Sequence, residues 1–319
     1  MATEKPYVIG LDLGGTNSVF GIVDASGKIL EIGKVKTGAY ETFDEWLNAS
    51  IECLKPMIEK VGGIEKIKAM GAGAPNGNYY KGTIEFAPNL KWGKGIVEFA
   101  KAFEEKLGIP CKLTNDANAA ALGEMKYGAA RGMKNFIVIT LGTGVGSGIV
   151  VNGEMVYGCD GFAGELGHVI VVPDGRQCGC GFKGCLEAYC SATGVARTAR
   201  EILAKSDEPS LLREKNPEEI ESLDVAIAAG KGDKIANEIF EFTGEILGKA
   251  MADFTKFSSP EAYIFFGGLT KAGDLIMNPI KKAYDENCLP IFRGKAKVLV
   301  SELPDSDAAV LGASALGWE

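Results

Sequence analysis

Apolar and polar positions follow two different periods along the chain, and each change of period marks an element. The apolar run Tyr7–Leu13 ends against the pair Gly14–Gly15, which predicts a strand and a tight turn. Ser18–Val23 resumes the strand pattern, Ala25–Lys28 breaks it, and Ile29–Lys36 gives a third strand, so the chain opens as an antiparallel meander. Phe43, Leu47, Ile51, Leu54 and Ile58 recur at helical spacing and predict a helix over Phe43–Lys60. Ile67–Ala72 reads as a strand and Asn76–Lys94 as irregular chain. Ile96–Leu107 reads as a helix closed by Gly108 and Pro110, and Cys111–Thr114 as a short strand leading into Asn115–Asp116.

The same order then returns. Ala117–Gly128 is Ala-rich and helical. Phe136–Leu141, Gly146–Val151 and Glu154–Val156 form a second meander, with Asn152–Gly153 as its hairpin turn. Gly142-Thr143-Gly144 sits between its first two strands, where Gly14–Gly15 sits in the first. The recurrence implies two related halves with a cleft between them. Asp160–Cys185 is an irregular insertion, Glu187–Ala204 a helix, Ser206–Ser222 a charged surface excursion, and Leu223–Phe257 largely helical. Tyr263–Phe266 is a strand running into Gly267–Gly268, followed by a helix at Leu275–Glu286, a strand at Val298–Ser301 and a small-residue helix at Asp307–Leu316.

Length and charge narrow the function. A chain of 319 residues suggests two domains, and its composition, 43 glycines included, is globular rather than disordered or collagenous. The net charge of −8 opposes binding to nucleic acid or to an anionic membrane. An anionic ligand must then be held locally, by backbone N–H groups or a metal. No apolar run approaches the roughly 18 residues that span a bilayer. The opening MATEKPYVIG lacks a basic segment followed by an apolar one, so the protein is expected to be soluble and cytoplasmic. Eight cysteines are too few for a disulfide scaffold, and three of them crowd between positions 178 and 185.

Four groups of residues carry candidate chemistry. In Asp12-Leu-Gly14-Gly15-Thr16-Asn17 and Leu141-Gly142-Thr143-Gly144, glycine lets the backbone approach a phosphate closely. A glycine β-turn explains either one as well; two at equivalent places, with Gly267–Gly268 in addition, point to phosphate. Neither is a P-loop. Asp12 beside the first turn suits Mg²⁺. Asp116, at a strand end before a helix, is either an N-cap or a general base for a substrate hydroxyl. His168, the only histidine, with Cys178, Cys180 and Cys185 makes a closed tetrahedral zinc set that leaves no open position. Glu165 and Glu187 flank that set; they are surface charges or, with His168, the hydroxyl-binding groups of a polyol site. Trp92 reads as packing, Asn89 as a hydroxyl ligand, and Cys53, Cys111, Cys159, Cys190 and Cys288 as isolated small hydrophobes.

Together Asp12-Leu-Gly-Gly-Thr-Asn17, Asn115-Asp-Ala-Asn-Ala119, Leu141-Gly-Thr-Gly144, Glu165-Leu-Gly-His168 and Cys178-Gly-Cys-Gly-Phe-Lys-Gly-Cys-Leu-Glu187 resemble the ROK family (repressors, ORFs and sugar kinases), above all its bacterial glucokinases. The resemblance runs from about residue 7 to 316. It implies the actin-like ATPase (ribonuclease H-like) fold, two α/β domains around a cleft. The small N-terminal domain is expected at 1–114 with a last segment at about 305–319, and the large domain with the zinc insertion at 115–304. It implies transfer of the ATP γ-phosphoryl group to a sugar, glucose at its 6-hydroxyl, with Asp116 as base. Asn89, Asn115, Glu165, His168 and Glu187 would hold the sugar. Asp12, Gly14–Asn17, Gly142–Gly144 and Gly267–Gly268 would hold Mg–ATP, and His168 with the three cysteines zinc. It further implies a homodimer or higher oligomer. Many relatives carry Pro-Gly where this chain has Pro75-Asn76, which bears on the choice among glucose, N-acetylhexosamines, mannose and fructose. A DNA-binding repressor of the family would carry a helix-turn-helix before the first glycine turn. Only about six residues precede the first strand, so an enzyme is expected rather than a repressor or a non-catalytic sugar sensor.

Overall fold

The apolar runs expected to form strands do so, and they sort into two sheets of one plan. A computed structural model of the chain describes residues 5–304 and 307–319. Met1–Glu4, within the stretch read for a leader, and Asp305–Ser306, at the expected start of the last segment, lie outside the described residues. The chain divides into two compact units. One holds the described residues of Met1–Met133, Gly148–Gly164 and Ser301–Glu319; the other holds Lys134–Ser147 and Glu165–Val300.

In the first unit Tyr7–Leu13 (β1), Ser18–Asp24 (β2) and Ile29–Val35 (β3) form the antiparallel meander. Ile67–Gly73 (β4) adds to β1 in parallel. The chain then builds a small antiparallel sheet from Gly77–Asn78 (β5), Thr83–Glu85 (β6) and Ile96–Val97 (β7), where irregular chain and a helix start were expected. The helix begins at Phe99 instead, because Ile96 and Val97 are committed to pairing with Glu85 and Ile84. Cys111–Thr114 (β8) lies parallel to β4 and completes the order β3-β2-β1-β4-β8.

The helix Phe43–Lys60 (α1) starts at a capping box formed by Thr42 and Glu45 and buries Trp46, Leu47, Ile51 and Leu54 on its periodic face. Trp92 packs against Trp46 and Phe43 with ring centroids 5.2 Å away, as its packing role requires. Phe99–Leu107 (α2) ends at Gly108 in the left-handed conformation. Asp116–Tyr127 (α3) and the last helix, Ala308–Leu316, meet at glycines: a Cβ on Gly123 would lie 2.8 Å from Gly312 Cα. The last helix crosses β1 and β4 so closely that a Cβ on Gly71 would fall on the Ala313 carbonyl oxygen. That packing is why α3 belongs with the first unit, which runs on to Met133 rather than stopping at residue 114.

A second sheet is formed by Phe136–Leu141 (β9), Val145–Val151 (β10), Glu154–Met155 (β11), Ala262–Phe266 (β12) and Lys297–Val300 (β13) in the order β11-β10-β9-β12-β13; the division between units falls within β10, so β9, β12 and β13 belong to the second unit and β11 to the first. The single helix expected over Glu187–Ala204 is two, Glu187–Cys190 (α4) and Ala192–Lys205 (α5). Ser191 between them is extended, and its hydroxyl accepts the Gly194 N–H at 3.0 Å, which restarts the helix. Leu223–Phe257 is likewise two helices, Ser222–Gly230 (α6) and Lys234–Ser258 (α7), the second capped by Asp233. Asp274–Asn287 (α8) follows, and the charged excursion holds only short turns at Leu211–Glu214 and Pro217–Glu219.

Each sheet therefore reads third, second, first, fourth, fifth strand, with parallel pairing from the first strand through the fourth to the fifth. This duplicated plan is the actin-like ATPase fold. Among the described residues no helix is long and apolar enough to cross a membrane.

Candidate active site

Three parallel strands of the first unit end side by side. Asp12 of β1 pairs with Gly73 of β4, and Gly73 with Thr114 of β8, so the chain delivers Asp12 and the Asn115–Asp116 corner to the same edge of the sheet. Ligands of open α/β sheets bind at such carboxyl ends. Asn115 is the N-cap of α3: its Oδ1 accepts the Asn118 N–H at 2.7 Å. The capping reading of Asp116 is thereby settled against it. Asp116 is the first helical residue; its carboxylate accepts the neighbouring Ala117 N–H at 2.8 Å and remains open to solvent.

The two carboxylates feel each other. Burial, then the charge of Asp116, pushes the Asp12 carboxyl up to about 6. Asp116 is reached by solvent yet hemmed in by protein, and that desolvation pushes its carboxyl above the usual range too. Two carboxylates that ionise reluctantly, one of them beside a glycine turn, form a donor set fit for Mg²⁺. In the turn itself Gly14 N–H donates to the Asn17 carbonyl at 3.0 Å, while Thr16 and Asn17 are exposed. A Cβ on Gly15 would lie 2.5 Å from the Asn89 carbonyl oxygen, so the otherwise distant, exposed Asn89 is held against the turn.

In the second unit Gly142 N–H donates to Gly144 O at 3.0 Å, closing the second turn. The α4–α5 junction grips it. Ala192 N–H donates to Gly142 O at 2.8 Å, and Thr193 Oγ1 donates to Thr143 O at 3.1 Å. Thr143 also opens onto a cavity of about 540 Å³ lined by Thr193, Ala196, Arg200, Glu218 and Ile220, within the size range of small-molecule sites. Gly267, at φ 115°, follows β12, and Gly268 is exposed.

The four residues expected to hold a metal come together. One donor atom each from His168, Cys178, Cys180 and Cys185 lies within 4.8 Å of every other. Cys180 and Cys185 sulfurs are 3.6 Å apart, and Cys178 Sγ is 3.8 Å from His168 Nδ1. Sulfurs on a tetrahedral zinc at about 2.3 Å are separated by about 3.8 Å, so the residues fit the ion. The tight Cys-Gly-Cys spacing is made possible by a turn in which Cys178 N–H donates to Phe182 O and Gly181 N–H to Cys178 O. Glu165 caps a single helical turn, Leu166–His168, and is exposed at three positions before the histidine.

Two features were invisible in the sequence. Glu187 is more than a sugar candidate: its Oε2 accepts the Val145 N–H at 3.0 Å, and its Oε1 accepts from the Cys178 thiol at 3.5 Å, so it joins the metal set to the second turn. The insertion is also pinned by Arg176, a buried guanidinium that donates to Glu201 at 2.8 Å and lies 4.5 Å over the Tyr189 ring. Of the cysteines read as small hydrophobes, Cys111, Cys190 and Cys288 are buried and Cys53 is half-buried, whereas Cys159 is exposed in a turn.

The ROK family model matches residues 8–319. A glucokinase of Streptomyces coelicolor is 35% identical over 317 residues, 98% of this chain and 97% of its own. A glucokinase of Thermotoga maritima is 34% identical over 314 residues, again 98% and 97%. The crystal structure of a ROK family glucokinase from Streptomyces griseus in complex with glucose and AMPPNP matches at a TM-score of 0.79 and 34% identity, over 97% of this chain and 98% of that one.

Proposed function

The chain belongs to the ROK family, and on that premise we propose an ATP-dependent sugar kinase that phosphorylates glucose at its 6-hydroxyl. The observation that carries the reading is the carboxylate pair at the strand ends: Asp12 beside a glycine turn, and Asp116 relieved of capping duty by Asn115. Phosphoryl transfer asks the protein mainly for position and charge neutralisation. Backbone N–H groups of the two glycine turns, other than those of Gly14 and Gly142 that close the turns, supply the first, and the cavity beside Thr143 suits the nucleoside. Magnesium held through Asp12 would neutralise phosphate charge.

Asp116, with its carboxyl raised by desolvation, is a stronger base than an ordinary aspartate. It accepts the hydroxyl proton as the oxygen attacks. His168 faces the metal set through Nδ1, which leaves its Nε2–H to donate to a sugar hydroxyl. Cys178 would hold the metal as a thiolate and would then no longer donate to Glu187 Oε1. That oxygen, with Glu165, then accepts from sugar hydroxyls. Zinc held by His168, Cys178, Cys180 and Cys185 would cross-link a segment with little core of its own. Asn89 and the Asn115 amide nitrogen complete the reading of the sugar.

The test is ADP release with Mg–ATP across glucose, mannose, fructose, N-acetylglucosamine and N-acetylmannosamine, repeated with polyphosphate as donor. Glucose turned over fastest, to a product that is a glucose-6-phosphate dehydrogenase substrate, is the expected result. Turnover confined to another sugar overturns the glucose assignment, and silence with every sugar overturns the kinase.

A further inference from the structure

Asn76 and Phe86 are two non-glycine residues in the left-handed region, at φ 52° and 51°, and each bonds the other's segment. Phe86 is 64% exposed, so burial does not hold so bulky a residue in that conformation. Hydrogen bonds hold it. Asn76 Nδ2 donates to the Phe86 carbonyl at 3.1 Å and to the Glu85 carbonyl at 3.0 Å. Glu85 N–H donates back to Asn76 O at 3.2 Å, and Phe86 N–H to Gly95 O at 2.9 Å. Asparagine is among the few residues that adopt this backbone readily, and glycine in its place would keep the turn but lose both amide bonds.

The clamp stands between two parts of the candidate site. On one side Ala74 N–H donates to Thr114 O at 2.9 Å, just before Asn115–Asp116, and Gly77 N–H donates to Ala74 O at 3.1 Å. On the other side the chain passes from Phe86 through buried Ala87 to Asn89, whose carbonyl closes on Gly15. A backbone strained at Phe86 and fixed by a side chain from the neighbouring turn sets the path of the residues that follow it. We propose that Asn76 is a positioning residue for Asn89, fixing through Phe86 the loop that presents the Asn89 amide to the sugar. The inference rests on the kinase reading of the same site.

The test is a double-mutant cycle on steady-state kinetics with glucose. Asn76→Gly keeps the left-handed turn and removes both amide bonds. It should raise the sugar KM about 10-fold, the worth of two ordinary hydrogen bonds, with the ATP KM and kcat changed less than about twofold. Asn76→Asp, which turns an acceptor toward both carbonyls, should raise it at least as far. Asn89→Ala should raise the sugar KM by itself, and adding Asn76→Gly to it should do nothing more, because the clamp acts through Asn89. Additive effects, or a sugar KM unchanged in Asn76→Gly while Asn89→Ala raises it, overturn the positioning role alone. An unchanged sugar KM in Asn89→Ala overturns the role of Asn89 on which it depends, and no turnover in the unaltered protein overturns the kinase reading.

Discussion

Two glycine turns stand at equivalent places in two sheets of one strand order, and their bracing differs. Two residues before the first turn's leading glycine stands Asp12; two before the second's stands Thr140, whose hydroxyl accepts the Gly146 N–H at 3.1 Å. The first sheet thus carries a carboxylate pushed up to about 6 and facing a second carboxylate, while the second carries a neutral hydroxyl that only braces backbone. The second turn is gripped instead from outside its sheet, by Glu187, Ala192 and Thr193, and through Glu187 by the metal set. On the proposed kinase reading, this unequal chemistry would give proton transfer and metal charge to the first copy. The second is left with binding.

Asp116→Asn tests that division most severely. It should lower kcat by about 10²–10⁴-fold while glucose still binds, and near-normal turnover would remove Asp116 as base. Cys180→Ser should next empty the metal set and raise hydrogen exchange around 165–205, leaving exchange in α1 and β1–β3 unchanged. A variant with full zinc content would show that Cys180 is not a ligand.

Asp12→Asn tests the charge asymmetry. Because the folded Asp12 binds its proton more tightly than the unfolded chain, its ionisation opposes folding, and stability falls as pH rises from about 4 to about 6. The variant should gain about 1–3 kcal/mol in urea unfolding above pH 6, nothing below about pH 4, and lose Mg–ATP turnover. The matching change in the second copy, Thr140→Val, should cost about 1 kcal/mol with no pH dependence between 5 and 8. A pH-dependent cost there would contradict a neutral brace.

Local periodicity made most of the frame legible. The strands flanking both turns are punctuated by glycine, and the Glu165–His168 and triple-cysteine spacing marks the residues that cluster. What stayed hidden depends on which particular partner a side chain or backbone group finds. Ser191 keeps the helical pattern of its neighbours and breaks it only because its hydroxyl finds Gly194 N–H. Ile96–Val97 looks helical and becomes a strand only because β6 is there to pair with it. Which of Asn115 and Asp116 caps α3 is a matter of one residue's offset, and the answer decides which side chain is left for chemistry. Asn76 appeared as a departure from a family pattern; its left-handed backbone and its hold on Phe86 are properties of the fold.

The most direct measurement is ADP release with Mg–ATP and glucose by the unaltered protein and by Asp116→Asn, with equilibrium glucose binding followed on both. Glucose-dependent turnover that collapses by at least about 10²-fold in the variant, at unchanged glucose affinity, is the expected result. Equal turnover in the two proteins, or loss of glucose binding in step with loss of turnover, would contradict the assignment of proton transfer to the first sheet.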